Sequence, residues 1–153
     1  MQPIVVSSKL NVRAETIWGE QSIATVNYEL GPWLRMTAPP AWRHLKLRDF
    51  AGAGPYFKSW ILLLGLFPVD RHNFGTLTLG GELRFVEASS SWVNRAWRHE
   101  RAVRAVDGGC EVVDTVCMLP RLPLVGTLLR PLYLFVFRHR HARLKRRHGA
   151  LDD

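Results

Sequence analysis

Two cysteines in 153 residues are too few for a disulfide framework. Cys110 and Cys117 lie seven apart in one expected strand, which puts them on opposite faces and roughly 23 Å apart at about 3.3 Å per residue, beyond bridging distance. Two small, buried, reduced side chains are the expectation. Long apolar runs are equally scarce. The longest are Trp60 to Val69, and Leu124 to Phe137 with Arg130 and Pro131 inside it. Both fall short of the roughly 20 residues that a spanning helix needs. The opening MQPIVVSSKLNV alternates instead of placing a charged cap before an apolar stretch, so it does not read as a secretory signal and a cytoplasmic location is expected. Catalytic signatures are missing too. There is no GxSxG elbow and no phosphate loop, and Gly52-Ala53-Gly54 lacks the third glycine and the strand-to-helix setting of a dinucleotide site. No cofactor is expected.

Acid is absent from one stretch. Residues 138–147 hold six Arg or Lys and no Asp or Glu, leaving fifteen bases against thirteen acids elsewhere, so the formal charge of +8 is a local property. No aromatic residue is interleaved with those charges, which argues against nucleic acid as the partner. The basic run either complements the dipole at a helix C-terminus or docks on an anionic membrane surface through Arg143, Lys145 and Arg146. What the chain does contain is 47% apolar residues with six Trp, the composition of a globular protein. Its length suits one domain over residues 1–153, of which 138–153 form a basic helix end and tail.

Along the chain, Pro3 to Val12 alternates Ile4, Val6, Ser8, Leu10 and Val12 against Val5, Ser7, Lys9 and Asn11, the pattern of a strand with one core face. Arg13-Ala14-Glu15 opens a helical pattern with Ile17 and Trp18 on its apolar side. A second short helix is expected from about Gln21 to Leu30, ended by Gly31-Pro32. Trp33 to Pro55 holds one or two short strands among breakers. Tyr56 to Phe67 reads as one strand, apolar on both faces and therefore covered on both, with room for a homodimer contact. Phe74 to Leu79 and Glu82 to Trp92 flank Gly80-Gly81, and Arg95 to Val106 and Glu111 to Leu119 flank Asp107-Gly108-Gly109. These are consecutive hairpins, an antiparallel meander. Leu124 to Arg147 closes the chain as a long helix with an apolar body and a basic end, kinked or effectively begun at Pro131.

That order, with Ala14-Glu15-Thr16-Ile17-Trp18 after the first strand, Gly31-Pro32-Trp33-Leu34-Arg35-Met36, Ser59-Trp60-Ile61-Leu62-Leu63-Leu64, Trp97-Arg98-His99-Glu100-Arg101 and Phe137-Arg138-His139-Arg140-His141, resembles the START-like (SRPBCC, helix-grip) superfamily. The polyketide cyclase/dehydrase and lipid-transport-like branch is the most similar in appearance. The resemblance implies an α+β fold in which a curved antiparallel sheet wraps a long C-terminal helix, with two short helices after the first strand. It also implies a cavity between sheet and helix that holds an apolar or aromatic small molecule.

In such a fold one parity of each strand lines the cavity. On Arg95 to Val106 the odd set Trp97, His99, Arg101 and Val103 is placed inward and the even set Arg98, Glu100, Ala102 and Arg104 outward. An aromatic wall with His and Arg beside it suits a ligand with a flat apolar body and one acidic or phenolic group. Equally, His99 and Arg101 pair with Glu87 or Asp114 on neighbouring strands. Trp60 and Leu62 share a face with Tyr56 and Leu64, Trp92 ends another strand, and all three join the candidate lining. On the helix, Leu128, Leu132, Val136 and His139 recur at spacings of three and four, with His139 at the mouth. His139 and His141 are about 200° apart around the helix axis, so they cannot ligate one metal, and no metal is expected. Two functions follow from the resemblance. One is binding or carriage of a hydrophobic small molecule or lipid. The other is a polyketide-like cyclase or dehydratase with His99 or His139 as general base and Arg101 stabilising an enolate.

Overall fold

A computed structural model describes residues 2–50 and 56–151. The elements run β1 (Ile4–Leu10), α1 (Ala14–Glu20), α2 (Ile23–Leu30), β2 (Leu34–Met36), β3 (Lys58–Leu63), β4 (Phe67–Gly80), β5 (Arg84–Ser91), β6 (Asn94–Val106), β7 (Gly109–Pro120) and α3 (Gly126–His148), with single 3₁₀ turns at Pro40–Trp42, Leu47–Asp49 and Pro123–Val125. All seven strands pair antiparallel in the order β1-β7-β6-β5-β4-β3-β2. The sheet curls around α3, which packs on β1, β7 and α2. This is the α+β helix-grip architecture expected from the element order. The breakers Gly52, Gly54 and Pro55, and with them the Gly52-Ala53-Gly54 stretch, lie outside the described residues.

Local chemistry explains most boundaries. Ser22 caps α2 reciprocally: its hydroxyl accepts from the Thr25 N–H at 3.2 Å, and Thr25 Oγ1 accepts from the Ser22 N–H at 2.9 Å. Asn27 then ties α2 to β2, its amide bonding both the carbonyl and the N–H of Met36 at 2.9 and 2.7 Å. The β6–β7 hairpin turns on Asp107-Gly108, with Gly108 at φ +77. Where β7 meets β1, a Cβ on Gly109 would stand 2.0 Å from the Leu10 carbonyl oxygen, so the close approach requires glycine.

Three expectations need correction. Tyr56 to Phe67 is not one strand: the chain reverses between Leu63 and Phe67, with Leu64 at φ 51 and Gly65 at φ 72. A single glycine in an apolar run hid a hairpin, and β3 lies next to the edge of the sheet. The β4–β5 turn is three residues, Gly81 to Leu83, with Leu83 and not a glycine in the left-handed region at φ 25. Leu83 packs against the core around Val103 and its carbonyl accepts from the Val103 N–H. Tertiary packing overrides turn chemistry there. Pro131 neither opens α3 nor ends it, since the helix begins five residues earlier.

Cys110 and Cys117 are both free and face opposite sides of β7, but only Cys110 is buried. Burial pushes the Cys110 thiol up. Cys117 is expected to react with a thiol reagent in the folded protein while Cys110 waits for unfolding, and mass spectrometry of the labelled chain checks this. Fast modification of both would contradict the placement.

The apolar interior is divided. Leu10, Ala14, Ile17, Val103, Val112 and Leu144 form one cluster. Ile4, Val116, Met118 and Phe137 form a second, and Ile23, Phe50 and Phe57 a third. They do not merge, and members of the second and third border a hollow between sheet and α3.

Candidate functional site: a cavity between sheet and helix

The hollow has a volume of about 650 Å³. Its walls are mostly apolar. Ile23, Val26 and Leu30 come from α2; Phe74, Leu77, Phe85 and Trp97 from the sheet; Leu129, Leu132, Val136 and Phe137 from α3. Trp33, Leu63, Val69, Leu132 and Phe135 line it and are also exposed, so they mark where it opens to solvent. Beyond them Leu66, Phe67, Leu124 and Leu128 continue an exposed apolar rim.

Polar side chains interrupt the lining at two places. In the first, His72 Nε2 lies 2.6 Å from Glu87 Oε1, which also accepts the Ser89 hydroxyl at 2.5 Å. Glu87 is buried; burial alone would raise its pKa, but His72 beside it lowers it on balance and keeps the carboxylate ionised. In the second, Asn94 Nδ2 donates to the Tyr133 hydroxyl at 2.6 Å, while Asn94 Oδ1 is buried with no hydrogen-bond partner among the described residues. Burial pushes the Tyr133 hydroxyl up.

Behind the cavity wall lies a buried ionic network. Arg101 forks onto Asp114 (Nε–Oδ1 2.8 Å, Nη2–Oδ2 2.7 Å) and onto Glu29 (Nη1–Oε1 2.8 Å, Nη2–Oε2 2.9 Å), and Nη1 also donates to Gln21 Oε1 at 3.2 Å. Arg140 holds the same Glu29 through Nε at 2.8 Å and Nη2 at 2.7 Å. Asp114 is further bonded by His99 Nε2 at 2.9 Å and His141 Nε2 at 3.0 Å, and His141 Nδ1 meets Ser8 Oγ at 2.9 Å. Burial opposes ionisation of Asp114 and Glu29, yet the guanidinium of Arg101 holds Asp114 well below the usual carboxylate range and, with Arg140, holds Glu29 low. The network spans α2, β6, β7 and α3, so it fixes both helices against the sheet.

Of the candidate residues, Trp97, His99, Leu132 and Val136 border the cavity together. Arg101 does not. A guanidinium has five N–H donors, and the five bonds above use every one, leaving none for an enolate. Trp60 and Leu62 are absent from the wall; Trp60 stacks edge-on against Trp92 at 4.9 Å and under Arg71 at 5.1 Å, away from it. The inward residues of β3 are Ser59, Ile61 and Leu63, because a run apolar on both faces does not reveal its own parity. Leu128 projects into solvent, and His139 is spent on the Gly31 carbonyl at 2.7 Å. The buried stripe of α3 is Phe137, Arg140, His141 and Leu144, so of the six bases in the stretch only Arg140 is interior. Arg143 sits on the Tyr28 ring at 4.3 Å, whereas Lys145 and Arg146 are exposed. Sequence reasoning missed Glu29, His72, Asn94 and Arg140. For Arg140 a signal existed, since it and His141 fall three and four residues after Phe137 and lead to Leu144. Among the described residues no cluster of His, Cys, Asp and Glu has the arrangement of a metal site. No helix among them is long and apolar enough to cross a membrane.

A sheet curled around a C-terminal helix, with two short helices after the first strand, defines the START-like fold, and solved structures share it. Protein CV1439 from Chromobacterium violaceum superposes with a TM-score of 0.69 at 13% identity over 97% of this chain and 98% of its own. A START superfamily protein from Mycobacterium smegmatis gives 0.66 at 10% identity over 95% and 96%. The AHSA1 protein from Silicibacter pomeroyi gives 0.60 at 14% identity over 96% and 100%. Within that fold the chain belongs to the family described as domain of unknown function DUF8410, whose model matches residues 8–148. No curated protein sequence matches it.

Proposed function

We propose that this protein binds or carries an apolar or aromatic small molecule, or a lipid, in the cavity between sheet and α3, without catalysing a reaction on it. The observation that carries this reading is the hollow itself. Its volume of about 650 Å³ falls within the roughly 300–1,000 Å³ of ligand pockets, and its walls are mostly apolar with a few convergent polar groups. Filling such a space with side chains would strengthen packing, so a chain that leaves it open forgoes stability at that place. The exposed apolar rim, including Leu66, Phe67 and Leu128, offers an entry path of the same chemistry. A cyclase or dehydratase that relies on Arg101 for its enolate is not favoured, because that side chain is saturated by its ion pairs.

Native mass spectrometry of gently purified protein tests the proposal, followed by titration with a fluorescent apolar probe and competition by fatty acids and flat aromatics. Val136 borders the cavity from α3. Val136→Trp is expected to weaken probe binding at least tenfold while leaving the thermal midpoint unchanged or higher, because the new ring occupies ligand space. A protein that is empty as purified and ignores the whole panel would remove the reading.

A further inference from the structure

We propose that the ligand of this cavity carries a neutral hydroxyl of the phenol or enol class, which donates to the Asn94 amide oxygen and accepts from Tyr133. The inference rests on the cavity being a ligand site and adds the chemistry of the ligand's polar end.

The two groups sit at one end of the cavity, near His72. Ser91 pairs with His72 across the β4–β5 ladder, and its hydroxyl accepts the Asn94 N–H at 3.0 Å. Asn94 in turn reaches Tyr133 at 2.6 Å, and the Trp97 ring lies between, 6.2 Å from His72 and 5.1 Å from Tyr133. All five residues line the space.

Counting donors and acceptors defines what is left over. His72 Nε2 is spent on Glu87 at 2.6 Å. Asn94 is 1% exposed and its Oδ1 is a buried acceptor with nothing to accept. Tyr133 uses its oxygen to accept from Asn94 and keeps its own proton for donation. One unmet acceptor therefore stands beside one unmet donor. A hydroxyl is the simple group that donates and accepts through a single atom; an ether or ketone oxygen accepts only.

A carboxylate fits poorly. Glu87 and Asp70 border the same space, and Arg140, the cation there, is committed to Glu29. A negative group would meet two acids and no free positive charge. The polar end thus prefers a neutral hydroxyl, and the edge of Trp97 gives the attached ring a flat surface.

The test compares 2-naphthol with 2-methoxynaphthalene on the full chain by calorimetry or fluorescence. The ether is the more apolar of the two, so a purely hydrophobic cavity would prefer it. We expect 2-naphthol to bind at least tenfold tighter, with the gap closing in Tyr133→Phe. A second measurement uses the unaltered protein: the Asn94 side-chain amide resonances should shift with 2-naphthol and stay still with the ether. Equal binding of both compounds, or a preference for the ether, overturns the hydroxyl assignment and leaves the apolar cavity standing. Binding of neither overturns both.

Discussion

Replacing Arg101 with methionine is expected to remove about 3–5 kcal/mol of stability at pH 7, read as a lowered urea midpoint with little change in slope. The size follows from what remains. Asp114 is fully enclosed and would keep only His99 and His141, and Glu29 would keep Arg140 but lose the fork that now clamps it to β6. Two buried carboxylates, Glu29 and Asp114, would share one guanidinium, Arg140, where two now serve them. An uncompensated buried charge costs far more than the net worth of the intact pair. For a chain of this length the loss corresponds to a fall in the thermal midpoint of roughly 10 °C. Arg101→Lys should recover only part of it, since a compact ammonium cannot fork onto two carboxylates at once. Replacing Arg101, Asp114, Glu29 and Arg140 together by apolar residues of similar volume should be milder than Arg101→Met alone, because no buried charge is then left without its partner. A single-variant loss below about 1 kcal/mol would show that the network is not what holds the helices to the sheet.

This network also shows how far the sequence could be read. Periodicity carried the elements that alternate: β1, β6 and β7 present the faces their patterns imply, and Trp97, His99, Arg101 and Val103 do point inward. The pairing of His99 and Arg101 with Asp114 was foreseeable because neighbouring strands of a meander bring them together. Glu29 was not. It lies 72 residues from Arg101 and 111 from Arg140, and no local pattern reports contacts at that separation. Arg140 and His141 were read as part of the basic helix end, since charge density hid the helical spacing that links them to Phe137 and Leu144.

The cavity lining divides in the same way. Trp97, His99, Leu132 and Val136 belong to patterned elements and fall on its wall. Trp60 and Leu62 come from a stretch apolar on both faces, where amphipathic contrast vanishes and parity with it, and Trp92 lies in the bend after β5, outside any alternation. His72 went unseen because Pro68 to Asn73 matched no strand template. The extra residues of a bulge between Asn73 and Thr76 break the alternation just beyond it. A Cβ on Gly75 there would stand 2.3 Å from the Ala88 carbonyl oxygen, so the bulge is tied to that glycine.

Stability is expected to fall steeply as pH drops from about 4.5 to 3. Asp114, Glu29 and Glu87 all have folded pKa values below their unfolded ones, Asp114 by the widest margin. A depressed carboxylate stabilises the fold fully above its unfolded pKa of about 4, and that contribution is lost as pH falls toward the folded value. Near pH 3 the unfolded chain binds up to three protons that the folded chain refuses, a slope of up to about 4 kcal/mol per pH unit. Because these acids join α2, β7 and β5 to α3 and the neighbouring strands, protonation releases both helices from the sheet, and binding of an apolar probe should vanish over the same interval. Urea titrations at pH 7, 5, 4 and 3 measure the slope, and Asp114→Asn should flatten it while lowering stability at pH 7. Unchanged stability down to pH 3 would mean that Arg101 and the histidines do not hold these carboxylates ionised, and the buried ion pairs could then no longer be the clamp between helices and sheet.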